Sequence, residues 1–120
     1  MPALAEPVDL HAKLAVIDEP WSPRTVARYN DSKVFLAKAR GEFVWHSHPD
    51  TDDLFLVLEG QLTIELQDRE VVLNPGQLFV VPKGVEHRPR SEHGASLLLI
   101  EPMGTPNTGD PETAAPELEA

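Results

Sequence analysis

Two histidines stand two positions apart, His46 and His48, inside an apolar run with the composition of a β-strand. Successive side chains of a strand point to opposite faces, so both imidazoles would project from the same face. Their Cα atoms would lie about 7 Å apart, which lets both rings reach one metal ion at about 2.1 Å from each coordinating nitrogen. The pair therefore predicts one half of a metal site.

A carboxylate follows where a neighbouring strand would begin. Residues 49–52, Pro-Asp-Thr-Asp, are turn-prone, and an apolar strand starts at Asp53. Asp53 would supply a hard, anionic ligand beside two neutral imidazoles. One more imidazole would have to come from His11, His87 or His93.

His87 is the best candidate for this third imidazole, because it lies in a second ordered stretch, residues 76–87. A strand there ends at a Pro-Lys-Gly turn, and the histidine follows three residues later. His11 falls off the apolar stripe of a predicted helix, and His93 lies beside a glycine in a polar loop. We interpret His11 and His93 as solvated side chains.

The two stretches together resemble the two motifs of the cupin superfamily. The first motif is a glycine, five residues, His-x-His, three or four residues, Glu, six residues and Gly. The second is a glycine, five residues, Pro-x-Gly, two residues, His, three residues and Asn. The chain departs from the first motif in the four-residue gap between Gly41 and His46, and in Asp53, which stands where glutamate is usual. Ser91 replaces the closing asparagine of the second.

The resemblance implies an all-β fold, the double-stranded β-helix or jelly-roll barrel of the cupins. It also implies one divalent transition metal held by four side chains: His46, His48, Asp53 and His87. Small chains of this type are similar to the barrel part of mannose-6-phosphate isomerase-like proteins, although this sequence has no sugar-phosphate signature. Asp53 is one methylene shorter than glutamate, which reduces its reach by about 1.5 Å.

Short strands separated by turns favour the same fold class without reference to any family. Strands this short and this closely connected predict an antiparallel sandwich or barrel. The turn sequence Asn-Pro-Gly at residues 74–76 suits a type II turn. The predicted strands are residues 25–29, 34–39, 42–48, 54–59, 62–66, 71–73, 78–81, 87–90 and 96–100.

We divide the chain into an N-terminal helical or extended arm over residues 1–23, the barrel over 24–101 and a tail over 102–120. Leucine and isoleucine recur at helical spacing within residues 8–17 of the arm, which predicts a short helix that packs on the barrel or on a neighbouring subunit. The tail is acidic and rich in proline, so we expect it to be extended or disordered, with its last ten residues loose.

Alternation then assigns side chains around the histidine pair to the faces of the barrel. Inward histidines would carry Glu42 and Val44 inward as well, and would leave Phe43 and Trp45 outside. Glu42 and Val44 are therefore predicted to line a ligand pocket, with Glu42 as an acid or base.

On the returning strand, an inward Asp53 would carry Phe55 and Val57 into the same pocket. The opposite face of this strand is also apolar, with leucines at alternate positions: Leu54, Leu56 and Leu58. A strand that is apolar on both faces is covered on both. We therefore expect the N-terminal helix, a second subunit or both to cover this face. The resemblance also implies a homodimer.

The composition limits the kinds of partner and the metal ligands that this protein can have. The chain has 120 residues and no cysteine, which suits one domain and leaves nitrogen and oxygen as the metal ligands. A formal net charge of −10 argues against nucleic acid and anionic membranes as partners. No apolar run approaches the ~20 residues of a membrane span, and the N-terminus does not resemble a signal peptide. We expect a cytoplasmic protein.

Three histidines and one carboxylate leave one or two coordination positions open for water or a ligand. Iron, manganese, nickel, zinc, cobalt and copper all suit mixed nitrogen and oxygen ligation, whereas calcium and magnesium prefer oxygen alone.

Two functions, and one metal-free alternative, are compatible with such a site. The first is a metal-dependent enzyme acting on a small oxygenated molecule, in the cupin setting a dioxygenase, isomerase, lyase or decarboxylase. The second is a non-catalytic module that binds a metal or a small ligand. The third is a barrel that retains its histidines without tight metal binding, with Asp53 hydrogen-bonded instead.

Overall fold

The computed structural model describes residues 6–119. One short helix precedes a series of antiparallel strands, which confirms the predicted all-β class with a short N-terminal helix. The elements are α1 (Leu10–Leu14), β1 (Arg24–Tyr29), β2 (Ser32–Glu42), β3 (Asp53–Gly60), β4 (Leu62–Leu66), β5 (Glu70–Leu73), β6 (Leu78–Val81), β7 (His87–Pro102) and β8 (Leu118–Glu119).

Strand β7 connects the whole barrel. One of its edges pairs with β2 along nearly its full length, from Arg90 to Pro102. Its other edge pairs with β4 near its start and with β3 over its second half. Strand β6 adds to β3, and β5 adds to β4. Because β7 pairs with β2 on one edge and with β3 and β4 on the other, the strands on its two sides enclose one core.

The strands differ from the sequence prediction in two main respects. Predicted strands 87–90 and 96–100 are one continuous strand, because β2 supplies a ladder to both halves of β7. Predicted strand 42–48 does not form. The register of β2 shifts between Ala39 and Gly41, the strand ends at Glu42, and residues 43–52 are irregular except for one bridge at His46.

The core lies inside the barrel and is formed mainly by the inward side chains of β2, β3, β4 and β7, with one residue each from β5 and β6. Phe55 and Val57 are buried on β3, on the same side as Asp53, so the predicted alternation holds on this strand. The other buried apolar members are Phe35, Ala37, Ala39, Leu62, Ile64, Leu73, Val81, Ala95, Leu97 and Leu99.

Helix α1 packs on the outside of the barrel. Asp9 caps it, with its carboxylate accepting a hydrogen bond from the backbone N–H of Ala12 at 3.2 Å. Leu14 and Ile17, which lie on the predicted apolar stripe, are buried against Leu36 of β2. The helix is shorter than predicted, but its stripe covers part of the outer face.

The C-terminal tail lies against the barrel at several points. Strand β8 pairs in parallel with β1, and Glu117 accepts a hydrogen bond from the Lys33 ammonium group at 2.7 Å. Gly109 lies so close to the backbone of Ser47 that a Cβ atom there would stand 2.0 Å from its carbonyl oxygen. Specific pairing to the barrel therefore replaces the hydrophobic burial that the tail lacks. The division into arm, barrel and tail stays a prediction.

Part of the outer face of β3 and β6 remains open. Leu56 pairs with Leu78, and Leu54 pairs with Val80, so these four side chains share one face. Leu78 is 57% exposed and Val80 is 39% exposed. The predicted homodimer stays a prediction, and this face is where we expect it. Over residues 6–119, no helix has the length and apolar character needed to cross a bilayer.

Candidate metal centre

The backbone brings the two sequence motifs together at His46 and His87. The N–H of each residue donates to the carbonyl of the other, at 3.0 Å from His46 and 2.9 Å from His87. This reciprocal pair of hydrogen bonds places the imidazole centroids 4.2 Å apart. His48 follows two residues later, and Asp53 opens β3 opposite Val81.

The four predicted ligand residues form one buried cluster. His46, His48, Asp53 and His87 each offer a ligand atom within 4.8 Å of the others. Oδ2 of Asp53 lies 3.3 Å from Nε2 of His48 and 3.2 Å from Nε2 of His87. These distances bring the donor atoms of both motifs to one point inside the barrel. Three histidines and one aspartate thus form a candidate metal site.

Backbone carbonyls fix the orientation of two of the imidazoles. Nδ1 of His46 donates to the carbonyl oxygen of Val44 at 2.8 Å, and Nδ1 of His87 donates to that of Val85 at 2.9 Å. In a neutral imidazole the other nitrogen then carries a lone pair. Both Nε2 atoms are therefore available to a metal, in the arrangement by which carbonyl groups commonly orient metal-binding histidines.

Several polar atoms of the cluster are buried without a hydrogen-bond partner. They are both ring nitrogens of His48 and Oδ1 of Asp53. The 3.3 Å contact between His48 and Asp53 is short enough for an ion pair but does not have hydrogen-bond geometry. Buried nitrogen and oxygen atoms in this state are costly. A divalent ion would satisfy them, so the donor set fits a metal.

His46 and Asp53 are in the protonation states that metal binding requires. Burial lowers the pKa of His46 to about 4, because it disfavours the charged imidazolium and outweighs the hydrogen bond to Val44. Burial by itself would raise the pKa of Asp53, but its close contacts with His48 and His87 hold it below its ordinary value. A neutral His46 and an ionised Asp53 are the ligand forms.

A cavity with aromatic walls adjoins the cluster. The space inside it that the centre of a water-sized sphere can reach is about 50 Å³, and the cavity opens to solvent. His46 and Asp53 reach it from the cluster, and Phe55 lines it as predicted from the alternation of β3. The remaining lining residues are Trp21, Pro23, Phe35, Ala37, Phe43, Pro89, Leu97, Leu99, Glu101 and Asn107.

Three of the predicted lining residues do not face this cavity. Val44 is 51% exposed, and Glu42 is exposed and pairs with Arg88 at 3.0 Å. These two assignments were wrong because residues 43–48 do not form a strand, so the two-residue period does not apply to them. Val57 is fully buried in the core and is absent from the cavity wall.

Phe43, predicted to point outward, lines the cavity instead. Its ring stacks on Trp21 with centroids 5.0 Å apart and meets His46 edge-on at 5.3 Å. Trp21 itself comes from the N-terminal arm, where its indole N–H donates to the carbonyl of Arg40 at 3.0 Å. The arm therefore contributes to the cavity wall, which no local pattern in residues 1–23 indicated.

Glu101 is the other residue that the sequence analysis missed as part of the site. The sequence analysis gave it no role, but it is 3% exposed and lies inside the barrel. The two-residue period of β7 contained the signal, because Leu97 and Leu99 are inward and Glu101 continues their series.

Comparison with known proteins places this architecture in a family. Residues 33–101 match the family described as Cupin domain (Cupin_2). A solved structure of a cupin-2 domain containing protein from Shewanella frigidimarina is 42% identical, with a TM-score of 0.78. The similarity covers 79% of this chain and 93% of that one, and it confirms the predicted cupin barrel.

Two further relatives are similar in sequence. The Uncharacterized protein YdbB of Bacillus subtilis (strain 168) is 47% identical over 78 residues, covering 64% of this chain and 69% of that protein. The 3-hydroxyanthranilate 3,4-dioxygenase of Xanthomonas euvesicatoria pv. vesicatoria is 30% identical over 76 residues. That similarity covers 60% of this chain but only 42% of the dioxygenase.

Proposed function

The chain belongs to the cupin domain family, and on this premise we propose that it is a metal-binding cupin that binds a small oxygenated molecule beside one divalent transition-metal ion. The ion would be held by His46, His48, Asp53 and His87. Iron, manganese, nickel, zinc, cobalt and copper remain the candidate ions.

The observation that carries this proposal is the convergence of buried donor atoms that lack partners. Asp53 approaches two imidazole nitrogens at 3.2 and 3.3 Å, and the carbonyl of Val85 already takes the Nδ1 proton of His87. Both ring nitrogens of His48 and Oδ1 of Asp53 are buried without a hydrogen-bond partner, which is costly without a cation. A purely structural role for the cluster would leave these three atoms unsatisfied.

The adjoining cavity supports an enzymatic role of the dioxygenase type. A metal held here would act as a Lewis acid toward a carbonyl or hydroxyl oxygen, or would activate dioxygen. The chain's own residues would contribute an apolar, water-excluding wall that includes Phe43 and Phe55. The similarity to a 3-hydroxyanthranilate 3,4-dioxygenase is consistent with such chemistry.

Elemental analysis of protein purified without a chelator or an affinity tag tests the metal site. We expect about one transition-metal ion per chain in the wild type and almost none in His48→Ala. His93→Ala is the matched control, because that side chain is 89% exposed and lies outside the cluster. Equal metal content in His48→Ala and the wild type would refute the site.

Oxygen consumption separates the enzyme from a non-catalytic binding module. The metal-loaded protein is given catechol or 3-hydroxyanthranilate in an oxygen electrode, with His48→Ala as the blank. Metal-dependent oxygen uptake with loss of the aromatic absorbance supports the dioxygenase proposal. Saturable binding of either compound without turnover favours the module instead. The cytoplasmic location and the absence of nucleic-acid or membrane partners stay predictions.

A further inference from the structure

Glu101 places a carboxyl group inside the aromatic cavity without using it in the fold. It lies near the end of β7, it is 3% exposed, and its Oε2 atom has no hydrogen-bond partner. A carboxyl oxygen buried in this way is costly unless something pairs with it. Because Glu101 lines the cavity beside Asp53, a molecule bound there can supply that partner.

The nearest cation is already engaged elsewhere. Lys33 is the cross-strand neighbour of Glu101 in the ladder between β2 and β7, so the two side chains lie on the same face. Lys33 donates instead to Glu117 of the tail at 2.7 Å and to the carbonyl of Thr105 at 3.4 Å. The tail thus holds the lysine and leaves Glu101 facing the cavity.

The rest of the cavity wall indicates the shape and charge of the occupant. Two aromatic rings, Trp21 and Phe43, stack at 5.0 Å on one side, and Phe55 meets His87 edge-on at 5.9 Å on another. Within residues 6–119, no lysine or arginine lines the cavity, whereas two carboxyl groups do. Aromatic walls favour a planar ring, and in the metal-free cavity two carboxyl groups that no lysine or arginine offsets disfavour a carboxylate or phosphate.

We propose that this cavity binds a small, uncharged aromatic ring that carries hydroxyl groups, and that Glu101 forms a hydrogen bond with one of those hydroxyls. The inference rests on the proposed function only in placing the ring beside a metal. It adds a class of ligand to the proposed function. It also names Glu101, which lies outside the four-residue cluster, as a residue that determines specificity.

The pKa of Glu101 is raised to about 8, chiefly by burial. The negative charges of Asp53 and Glu117 also raise this pKa, whereas the positive charge of Lys33 lowers it. A protonated carboxyl group can donate one hydrogen bond and accept another, which suits a hydroxyl group.

Binding of catechol and of benzoate to the protein with its metal removed by a chelator tests the proposal, because a bound divalent ion would itself attract benzoate. The chain has two tryptophans, and Trp21 lines the cavity while Trp45 is 42% exposed. In a Trp45→Phe background, the fluorescence of Trp21 reports occupancy of the cavity. We expect catechol to bind at least about tenfold more tightly than benzoate, because benzoate carries a charge into a cavity without a cation. Equal affinities would overturn the proposed ligand class.

Variants at Glu101 then test its role. We expect Glu101→Leu to weaken catechol binding about tenfold, the effect of losing a hydrogen bond to a buried polar group. Glu101→Gln should remain within about threefold of wild type, since the amide both donates and accepts. Glu59→Leu makes the same change at an exposed position outside the cavity and should have no effect. Unchanged binding in Glu101→Leu would overturn the assignment.

Metal content, measured on the same preparations before the metal is removed, separates the two proposals. Normal metal content with unselective ring binding would overturn the ligand class and leave the metal site intact. Missing metal in the wild type would refute the proposed function, whereas selective catechol binding in that sample would still support the role of Glu101. The comparison of catechol with benzoate needs no variant at Glu101. It therefore still tests the ligand class if Glu101→Leu fails to fold.

Discussion

Lys33 and Glu101 lie opposite each other on β2 and β7, yet the lysine pairs with Glu117 of the tail at 2.7 Å. The side chain of Lys33 is 7% exposed, so this ion pair is largely removed from water. The C-terminal tail, which we expected to be loose, therefore determines which carboxylate pairs with the buried Lys33. Glu101 is the carboxyl group left without that charge.

The isolation of Glu101 predicts a pH-dependent stability. Its pKa is about 8 in the folded protein and near 4.5 without the fold. Between these values the folded state binds more protons than the unfolded state, so the free energy of unfolding falls as pH rises, by at most about 1.4 kcal/mol per pH unit. We expect Glu101→Gln to gain stability relative to wild type from pH 5 to pH 8.

Urea denaturation of the metal-free protein at pH 5, 6.5 and 8 measures this difference. Glu59→Gln, which changes an exposed glutamate, should follow the wild type at every pH. A constant difference between Glu101→Gln and wild type across the three values would contradict the prediction.

The length of Asp53 is matched to its surroundings, although cupins usually have glutamate here. Its Oδ2 atom already lies 3.2 and 3.3 Å from two imidazole nitrogens, and the residue is 3% exposed. We expect Asp53→Glu to destabilise the metal-free protein by about 1–3 kcal/mol through overpacking, without any gain in metal affinity. Tighter metal binding in a chelator competition would show that the shorter carboxylate is a compromise.

Gly60 lies at a close approach between the end of β3 and β7. Its φ angle is +78°, and a Cβ atom there would stand 2.2 Å from the carbonyl oxygen of Gly94. Gly60→Ala should lower the free energy of unfolding by more than the ~1–2 kcal/mol that a left-handed conformation costs by itself. Gly76→Ala is the matched control, because its φ angle is +83° and no atom lies within 4 Å of the added Cβ. Equal losses of melting temperature would contradict the steric argument.

The N-terminal arm should contribute to the stability of the barrel. Ile17 is fully buried against Leu14 and Leu36, so Ile17→Ala should cost about 2–5 kcal/mol in chemical denaturation. Val16 is 70% exposed, and Val16→Ala should change stability by less than about 0.5 kcal/mol. A small effect of Ile17→Ala would mean that the arm is not part of the cooperative unit.

The open apolar face of β3 and β6 is where we expect the homodimer to form. Light scattering at micromolar concentration should give twice the chain mass of 13.3 kDa. Leu78→Lys should shift the protein to the monomer, because it buries a charge in the contact. Val72→Lys, at a 48% exposed position on β5, should leave the dimer intact. A wild-type monomer would refute the prediction.

The sequence by itself identified the all-β class and the four residues of the cluster. Both depend on local features, namely short strands punctuated by turns and donor residues at fixed spacing within two motifs. His46 and His48 do converge, but through an irregular segment and not along a strand as predicted. Spacing of two residues brings side chains close in either conformation, so the site was predictable although its backbone was not.

Only the tertiary structure determined what surrounds that cluster. The periodic assignment failed for Glu42 and Val44 because β2 ends before the histidines, where the ladder to β7 shifts register at Ala39. Glu101 and Trp21 reach the cavity through pairing with distant strands. The order of the tail depends on Glu117 meeting Lys33, 84 residues away. Such contacts follow from which strands pair and how they close the barrel, and local sequence patterns do not encode that pairing.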